Sequence, residues 1–167
     1  MTTAMSSVSR RRWGRSGLMI PVIPFGTQGF GNLFGPVAEA EATNLVARAI
    51  GLGVNHFDCA RCYGDALHPD RPRQPARWLP DPSADAAAAR GQWSNRDDID
   101  RARRIRQWCL DRNVSLLALA LQFCLREGRI HGNPLGSQNL AELEANVRAV
   151  TETLPERVFA EFAEAGM

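Results

Sequence analysis

No lysine occurs in this chain; all 20 of its basic residues are arginines. Schiff-base chemistry and nucleotide binding through a P-loop lysine are therefore excluded for any mechanism this chain supplies alone. Tyrosine occurs once, at Tyr63, and histidine three times, at His56, His68 and His131. Long apolar runs are absent too, since prolines break the hydrophobic stretches well short of the roughly 20 residues a membrane span needs. Charge is nearly balanced, with a net +2 and a pI near 8.5, and no aromatic–basic alternation accompanies the arginines. Neither nucleic acid nor a membrane is expected as a partner. The length of 167 residues falls short of a complete eight-fold βα barrel, which takes roughly 200 residues or more. What remains is 44% apolar and 23% charged, an ordinary globular composition.

The arginines cluster at Arg10–Arg15, Arg71–Arg77 and Arg101–Arg106. A phosphate-binding surface is one reading, and a basic tail with solvated helix faces is the plainer one. Of the four cysteines, Cys59, Cys62, Cys109 and Cys124, the last two fall in apolar helical segments and read as small buried hydrophobes. No dense disulfide framework is implied, so a reducing cytoplasm is the expected compartment. Ser9-Arg10-Arg11-Arg12-Trp13 resembles the start of a twin-arginine export signal, but no apolar h-region follows it.

Residues 1–9 are small and polar and are expected to be a disordered tail. Extended pieces around Arg11–Trp13 and Met19–Phe25, with Gly14 to Gly17 between them, predict a hairpin. Ala42, Leu45, Val46, Ala49 and Ile50 recur on one face of a helix over 38–52, stopped by Gly53. Val54 to Phe57 then reads as a strand ending at Asp58, an αβ unit of a parallel sheet. The composition changes after Asp65. Five prolines, Pro69, Pro72, Pro75, Pro80 and Pro82, and the run Ala86–Ala89 make residues 66–100 an atypical Pro/Ala/Arg-rich linker. Helical spacing resumes with Ile99, Ala102, Ile105 and Cys109, breaks at Asn113-Val114-Ser115, and returns over Leu116 to Leu125. A strand over Arg129-Ile130-His131 is expected to enter a turn at Pro134 to Ser137. Asn139 and Glu142 have the spacing of a capping box for a helix through Val150, and a last helix begins at Pro155.

Three groupings carry possible chemistry. His56, Cys59, Cys62 and His68 are residue types that suit zinc or a redox pair. No second Cys-x-x-Cys knuckle accompanies them, and Cys59 is placed opposite His56 and Asp58 by strand alternation, so no metal is expected. Asp58 with Tyr63 suits a proton donor with an electrostatic helper, because the C-terminal ends of parallel strands carry active sites. Gly136-Ser137 ahead of the Asn139 cap is either a phosphate-binding helix start or a routine strand-to-helix turn.

Taken together these segments resemble the aldo/keto reductase family. Arg12 to Leu18 is similar to its N-terminal hairpin, Ile23 to Thr27 to its first barrel strand, and Gly53 to Ala60 with Tyr63-Gly64 to its second strand and active-site loop. Gly31 to Val37 resembles the bacterial aldose or fucose dehydrogenase branch, Leu117 to Leu125 the helix before the last strand, and Gly136 through Asn146 the adenosine-phosphate loop and helix. The resemblance implies an α/β fold, a partial (β/α)8 TIM barrel. It would keep the N-terminal hairpin and the first two βα units over 10–65, and the C-terminal βα units over 101–167.

It also implies an NAD(P)-dependent oxidoreductase acting on sugar-type aldehydes or alcohols. By motif, Tyr63 takes the proton-donor position and Asp58 the aspartate position. Gly26, Thr27 and Gln28 lie at the nicotinamide end, and Gly136, Ser137 and Asn146 at the adenosine end. The family's lysine and histidine belong to the region between Tyr63 and Ile99, where the atypical segment stands instead. His68 follows Tyr63 too closely to be that histidine, and Arg61 is the cation nearest in sequence. Gln138 and Ala145 replace a common arginine and glutamate, and Glu142 disfavours a 2′-phosphate, leaving NADPH or NADH open with a lean towards NADH. The expected partners are a small carbonyl or sugar substrate and, through exposed barrel edges, a second copy of the chain.

Overall fold

The computed structural model describes residues 7–31, 35–60, 63 and 96–166. Two short antiparallel strands open it, β1 (Arg10–Arg12) and β2 (Met19–Pro21), with Arg11 opposite Ile20. Gly14 and Gly17 turn the chain at φ of +51° and +79°. The Ser16 hydroxyl clamps that turn, donating to the Trp13 carbonyl at 2.6 Å and accepting from the Leu18 amide at 3.2 Å. This is the expected hairpin.

β3 (Phe25–Gly26) runs into a 3₁₀ turn over Thr27–Gly31, then α1 (Glu39–Gly51) and β4 (Phe57–Asp58). Later come α2 (Arg96–Asp111), α3 (Leu116–Arg126), β5 (Leu135–Gly136), α4 (Leu140–Thr151) and α5 (Glu156–Glu164). The three inner strands form one parallel sheet in the order β4-β3-β5, with the hairpin as a separate two-stranded unit. Neighbouring parallel strands need a crossover, and α1 supplies it between β3 and β4. The molecule is a mixed α/β fold.

α1 ends where the sequence indicated. Gly53 sits at φ +87°, its amide bonds to the Ile50 carbonyl at 3.0 Å, and Val54 bonds back to Ala49 at 2.9 Å. That is a Schellman stop, and Val54 and Ala49 are the buried pair that accompanies it. α2 ends in the same way around Asn113, at φ +52°, with Val114 bonding back to Cys109 at 2.9 Å. The Ser115 hydroxyl then caps α3 through the Ala118 amide.

Phe25, on the central strand and 1% exposed, anchors the main core with Val22, Ile23 and Val54. Leu45 and Ala49 from α1 and Leu143 and Val147 from α4 pack against them. A second core joins Trp108 and Cys109 of α2 to Leu119 of α3 and to Val158, Phe159 and Phe162 of α5. Ala118 and Leu121 of α3 meet Ala149 of α4 between the two.

Several expectations are corrected. Residues 7–9 are not a tail: Val8 is buried, its amide bonds to Leu52, and Ser9 accepts from Val22. One apolar residue next to the hairpin suffices to fill the gap beside α1. Residues 1–6 lie outside the described residues. The linker expected over 66–100 gives way to helix by Arg96, whose first turn carries Asp97 and Asp98, favourable charges at a helix start; residues 66–95 lie outside the described residues.

The last strand is not at Arg129 to His131, and Pro134 to Ser137 is not its turn. Asn133 donates to Val22 and Leu135 to Pro24, both at 2.9 Å, so pairing runs over 133–136. Pro134 fits between them because alternate residues face away from β3 and its missing N–H is not needed there. Ile50 is exposed rather than part of the α1 core face, as is Cys124 on α3. Cys109 is buried as expected, and burial pushes its thiol pKa up.

Arg11 also departs from the reading of a basic tail. Half-buried, it donates through Nη1 to the Ile130 carbonyl at 2.8 Å and through Nη2 to the Leu125 carbonyl. A cation is favourable at this last turn of α3, where carbonyls lack helical partners.

Candidate active site at the C-terminal edge of the sheet

The parallel register places Asp58, Gly26 and Gly136 side by side in one row, the final paired position of β4, β3 and β5. Neighbouring strands lie about 4.8 Å apart, so this row is about 10 Å wide. Gly26 stands at its centre, where a Cβ would lie 3.4 Å from the Gly136 amide nitrogen, in close contact with the neighbouring strand. The two glycines leave the middle of the edge without side chains.

On the β4 side, the Tyr63 hydroxyl donates to Asp58 Oδ2 at 3.1 Å. Thr27, the first residue of the 3₁₀ turn, donates from Oγ1 towards the Asp58 carbonyl at 3.0 Å and Cys59 Sγ at 3.1 Å. Gln28 lies half-buried in the same turn. A carboxylate, a phenol and a threonine hydroxyl therefore meet where β3 and β4 end.

On the β5 side, Ser137 is 3% exposed, and Asn146 on α4 donates to its hydroxyl at 3.2 Å. Asn146 also reaches the Gly136 carbonyl at 3.5 Å. Asn139 caps α4, accepting from the Glu142 amide at 2.9 Å. The Glu142 carboxylate reaches back, accepting from the Gln138 amide at 2.8 Å and from Asn139 Nδ2 at 2.9 Å. The capping box expected at 139–142 is present, with its return bond one residue earlier than the usual N-cap amide.

Six residues singled out in the sequence thus occupy one sheet edge in two groups. Tyr63 and Thr27 each donate to Asp58, and Asn146 donates to both Gly136 and Ser137. Gly26 lies between them. Sequence reading gave Gly29 no role, yet it is buried and a Cβ on it would come within 3.3 Å of Gln138 Cγ and 3.4 Å of the Ser137 carbonyl. The signal for it in the sequence is the spacing of Gly26, Gly29 and Gly31 in a glycine-rich stretch.

His56 packs edge-on against Trp13 with ring centroids 5.0 Å apart. Among the described residues no three His, Cys, Asp or Glu side chains converge in a way that suits a metal; Arg61, Cys62 and His68 lie outside them. Among the described residues, too, no single helix is long and apolar enough to cross a membrane.

Residues 22–70 match the model of the aldo/keto reductase family. L-galactose dehydrogenase of Arabidopsis thaliana is 40% identical over 63 residues, covering 38% of this chain and 20% of that protein. Pyridoxal 4-dehydrogenase of Microbacterium luteolum is 33% identical over 60 residues, covering 36% of this chain and 18% of that protein. Each match thus spans about a fifth of the relative's own length. No solved structure matches the chain significantly. The matched segment carries Gly26, Thr27, Asp58 and Tyr63, so this part of the chain is similar to the aldo/keto reductase family.

Proposed function

We propose that the chain is a shortened NAD(P)-dependent oxidoreductase of the aldo/keto reductase type, directed at sugar-type aldehydes and alcohols. The observation that carries this reading is the row Asp58, Gly26, Gly136, with Tyr63 at one end and Ser137 and Asn146 at the other. The order β4-β3-β5 suits the seam at which the first two strands and the last strand of a (β/α)8 barrel meet. The names of the two dehydrogenase relatives support the reaction class, and L-galactose dehydrogenase supports the sugar class.

A nicotinamide dinucleotide fits this edge in one respect that the geometry supplies: the two glycines leave a bare path between the groups. Thr27 and Gln28 would hold its nicotinamide end, and Ser137, Asn146 and the first turn of α4 its adenosine end. When bound, the dinucleotide supplies hydride transfer. The contribution of the chain is to orient a carbonyl and to deliver a proton from Tyr63.

A second reading is a catalytically inactive remnant or a non-enzymatic partner protein, and one observation favours it. The Tyr63 hydroxyl is directed at Asp58, and no lysine exists in the chain to take that carboxylate instead. The resemblance pairs the tyrosine with a lysine, and acid–base catalysis of the kind that pair would perform commonly supplies about 10²–10⁴ in rate. The first reading predicts slow turnover and the second none, and they differ in cofactor binding.

The test is a titration of the purified chain with NADH and NADPH by saturation-transfer NMR, with turnover of a sugar aldehyde panel followed in parallel. Dinucleotide binding at millimolar concentration or below supports the first reading. No binding at millimolar levels sinks it and leaves the second. Translating the other reading frames across codons 66–100 adds a direct check, since a restored lysine-bearing strand motif would identify a frameshift.

A further inference from the structure

Away from the sheet edge, α2, α3 and α5 line an apolar cavity of about 260 Å³ that shares no residue with the row at Gly26. Leu119 and Phe162 are its buried lining, Leu116 and Phe123 its exposed lining. Leu116, Ala120 and Phe123 recur at helical spacing on one face of α3. The short Ala120 between two large side chains leaves the gap. The Phe123 and Phe162 rings meet edge-on with centroids 5.7 Å apart, so part of the lining is aromatic. Large apolar side chains exposed around a hollow mark a binding site.

Of the lining residues, Arg101 on α2 alone is charged. Among the described residues it forms no ion pair. Asp97, one turn before it, makes none with it, whereas Arg103 pairs with Asp100 at 2.9 Å. An apolar hollow with one uncompensated cation in its lining complements a ligand that is apolar at one end and carries one negative charge at the other.

We propose that this cavity binds a small aromatic carboxylate, with its ring against Leu116, Phe123 and Phe162 and its carboxylate on Arg101. A planar guanidinium meets a carboxylate through two parallel N–H···O bonds, and a ligand ring gains edge-to-face contact with phenylalanine. A single cation balances a monoanion, while a phosphate monoester would bring a second charge to an apolar wall. The volume falls just short of the roughly 300 Å³ at which sites for drug-sized ligands begin, which limits the ligand to about one or two fused rings. Such binding is independent of any dinucleotide at the sheet edge.

The experiment titrates the full chain with 1-naphthoate, and with 1-naphthamide and 1-naphthylmethylammonium as neutral and cationic counterparts. The methyl resonances of Leu116, Leu119 and Ala120 are followed by two-dimensional NMR. Naphthoate is expected to bind about fivefold more tightly than the amide, and the ammonium more weakly than either. Arg101→Gln, a change at an exposed side chain, should bring naphthoate to the affinity of the amide. Cys124, an exposed thiol in the lining, gives a second readout. Bound naphthoate should slow its alkylation by iodoacetamide and leave exposed Cys59 at the sheet edge unchanged.

Equal affinity for the three probes overturns the proposal, as does a preference for naphthoate that survives in Arg101→Gln. No naphthoate binding at millimolar concentration overturns it too. Protection of Cys124 that rises with protein concentration and needs no probe assigns the cavity to a second copy of the chain, and likewise overturns it. The three probes give the charge order on the parent chain, so a poorly folded variant does not shield the proposal from test. None of these failures touches the dinucleotide reading, whose residues lie on the other elements.

Discussion

On the β5 side of the sheet edge, Ser137, Asn139, Glu142 and Asn146 satisfy one another and the first turn of α4. On the β4 side, Asp58, Tyr63 and Thr27 meet through a phenol and a hydroxyl. The first group is demanded by the fold, because a helix start leaves amides that must find acceptors. The second answers no such demand: β4 and β3 would pair with or without a tyrosine beside Asp58. The contrast separates polar contacts that a helix start requires from contacts that it does not, and substitutions can push on it from either side.

The largest effect is expected where both sides depend on one residue. Phe25→Ala removes the ring at the centre of the main core and should cost about 3–5 kcal/mol, measured by urea unfolding. Both groups should be lost together. Asn146→Leu acts on the β5 side alone. It leaves the buried Ser137 hydroxyl without its donor and should cost about 1–3 kcal/mol, with amide exchange accelerated at Ser137 and Gln138. Asn139→Ala, which removes the α4 cap, should cost about 1 kcal/mol in the same assay.

Tyr63→Phe should lower stability by less than about 1 kcal/mol, since its hydrogen bond is only partly buried, while removing whatever reductase turnover the chain has. A cost as large as that of Asn146→Leu would erase the contrast.

The smallest effect lies away from the edge and serves as a control. Hydrogen bonding from Arg126 holds the Glu156 carboxyl below its usual range, and Arg129 does the same to Glu127. A depressed folded-state pKa means stability that is present above the unfolded value and lost as pH falls through the folded one. Glu156→Gln should therefore flatten the acid side of the stability profile slightly, at a fully exposed pair, without touching either group at the sheet edge.

Much of this edge was legible because its signals are local. Gly53 after an apolar helical face, Asn139 three residues before Glu142, and Asp58 closing a strand each depend on neighbours within a turn or two. What escaped is set by distant partners. The position of β5 depends on Val22 and Pro24, more than a hundred residues earlier, and a two-residue strand containing no periodicity of its own cannot announce its register. Arg11 looks like any basic residue until the carbonyls of Leu125 and Ile130 are brought to it. Val8 reads as part of a polar tail because a single apolar residue makes no pattern. The family motifs at Gly26, Asp58 and Tyr63 were readable for a different reason, their chemistry-bearing types at particular spacing, and the match over 22–70 covers all three.

The strand order has a consequence for the birth of the molecule. β3 takes β4 as a neighbour early, but its other flank waits for residues 133–136, and Arg11 waits for 125 and 130. A chain emerging from the ribosome at about 5–20 residues per second therefore carries a half-dressed central strand for several seconds. During that interval the flank meant for β5 is open to any other extended segment. The time in which this protein is most prone to wrong pairings is thus written into the distance between Pro24 and Leu135, not into the stability of the finished fold.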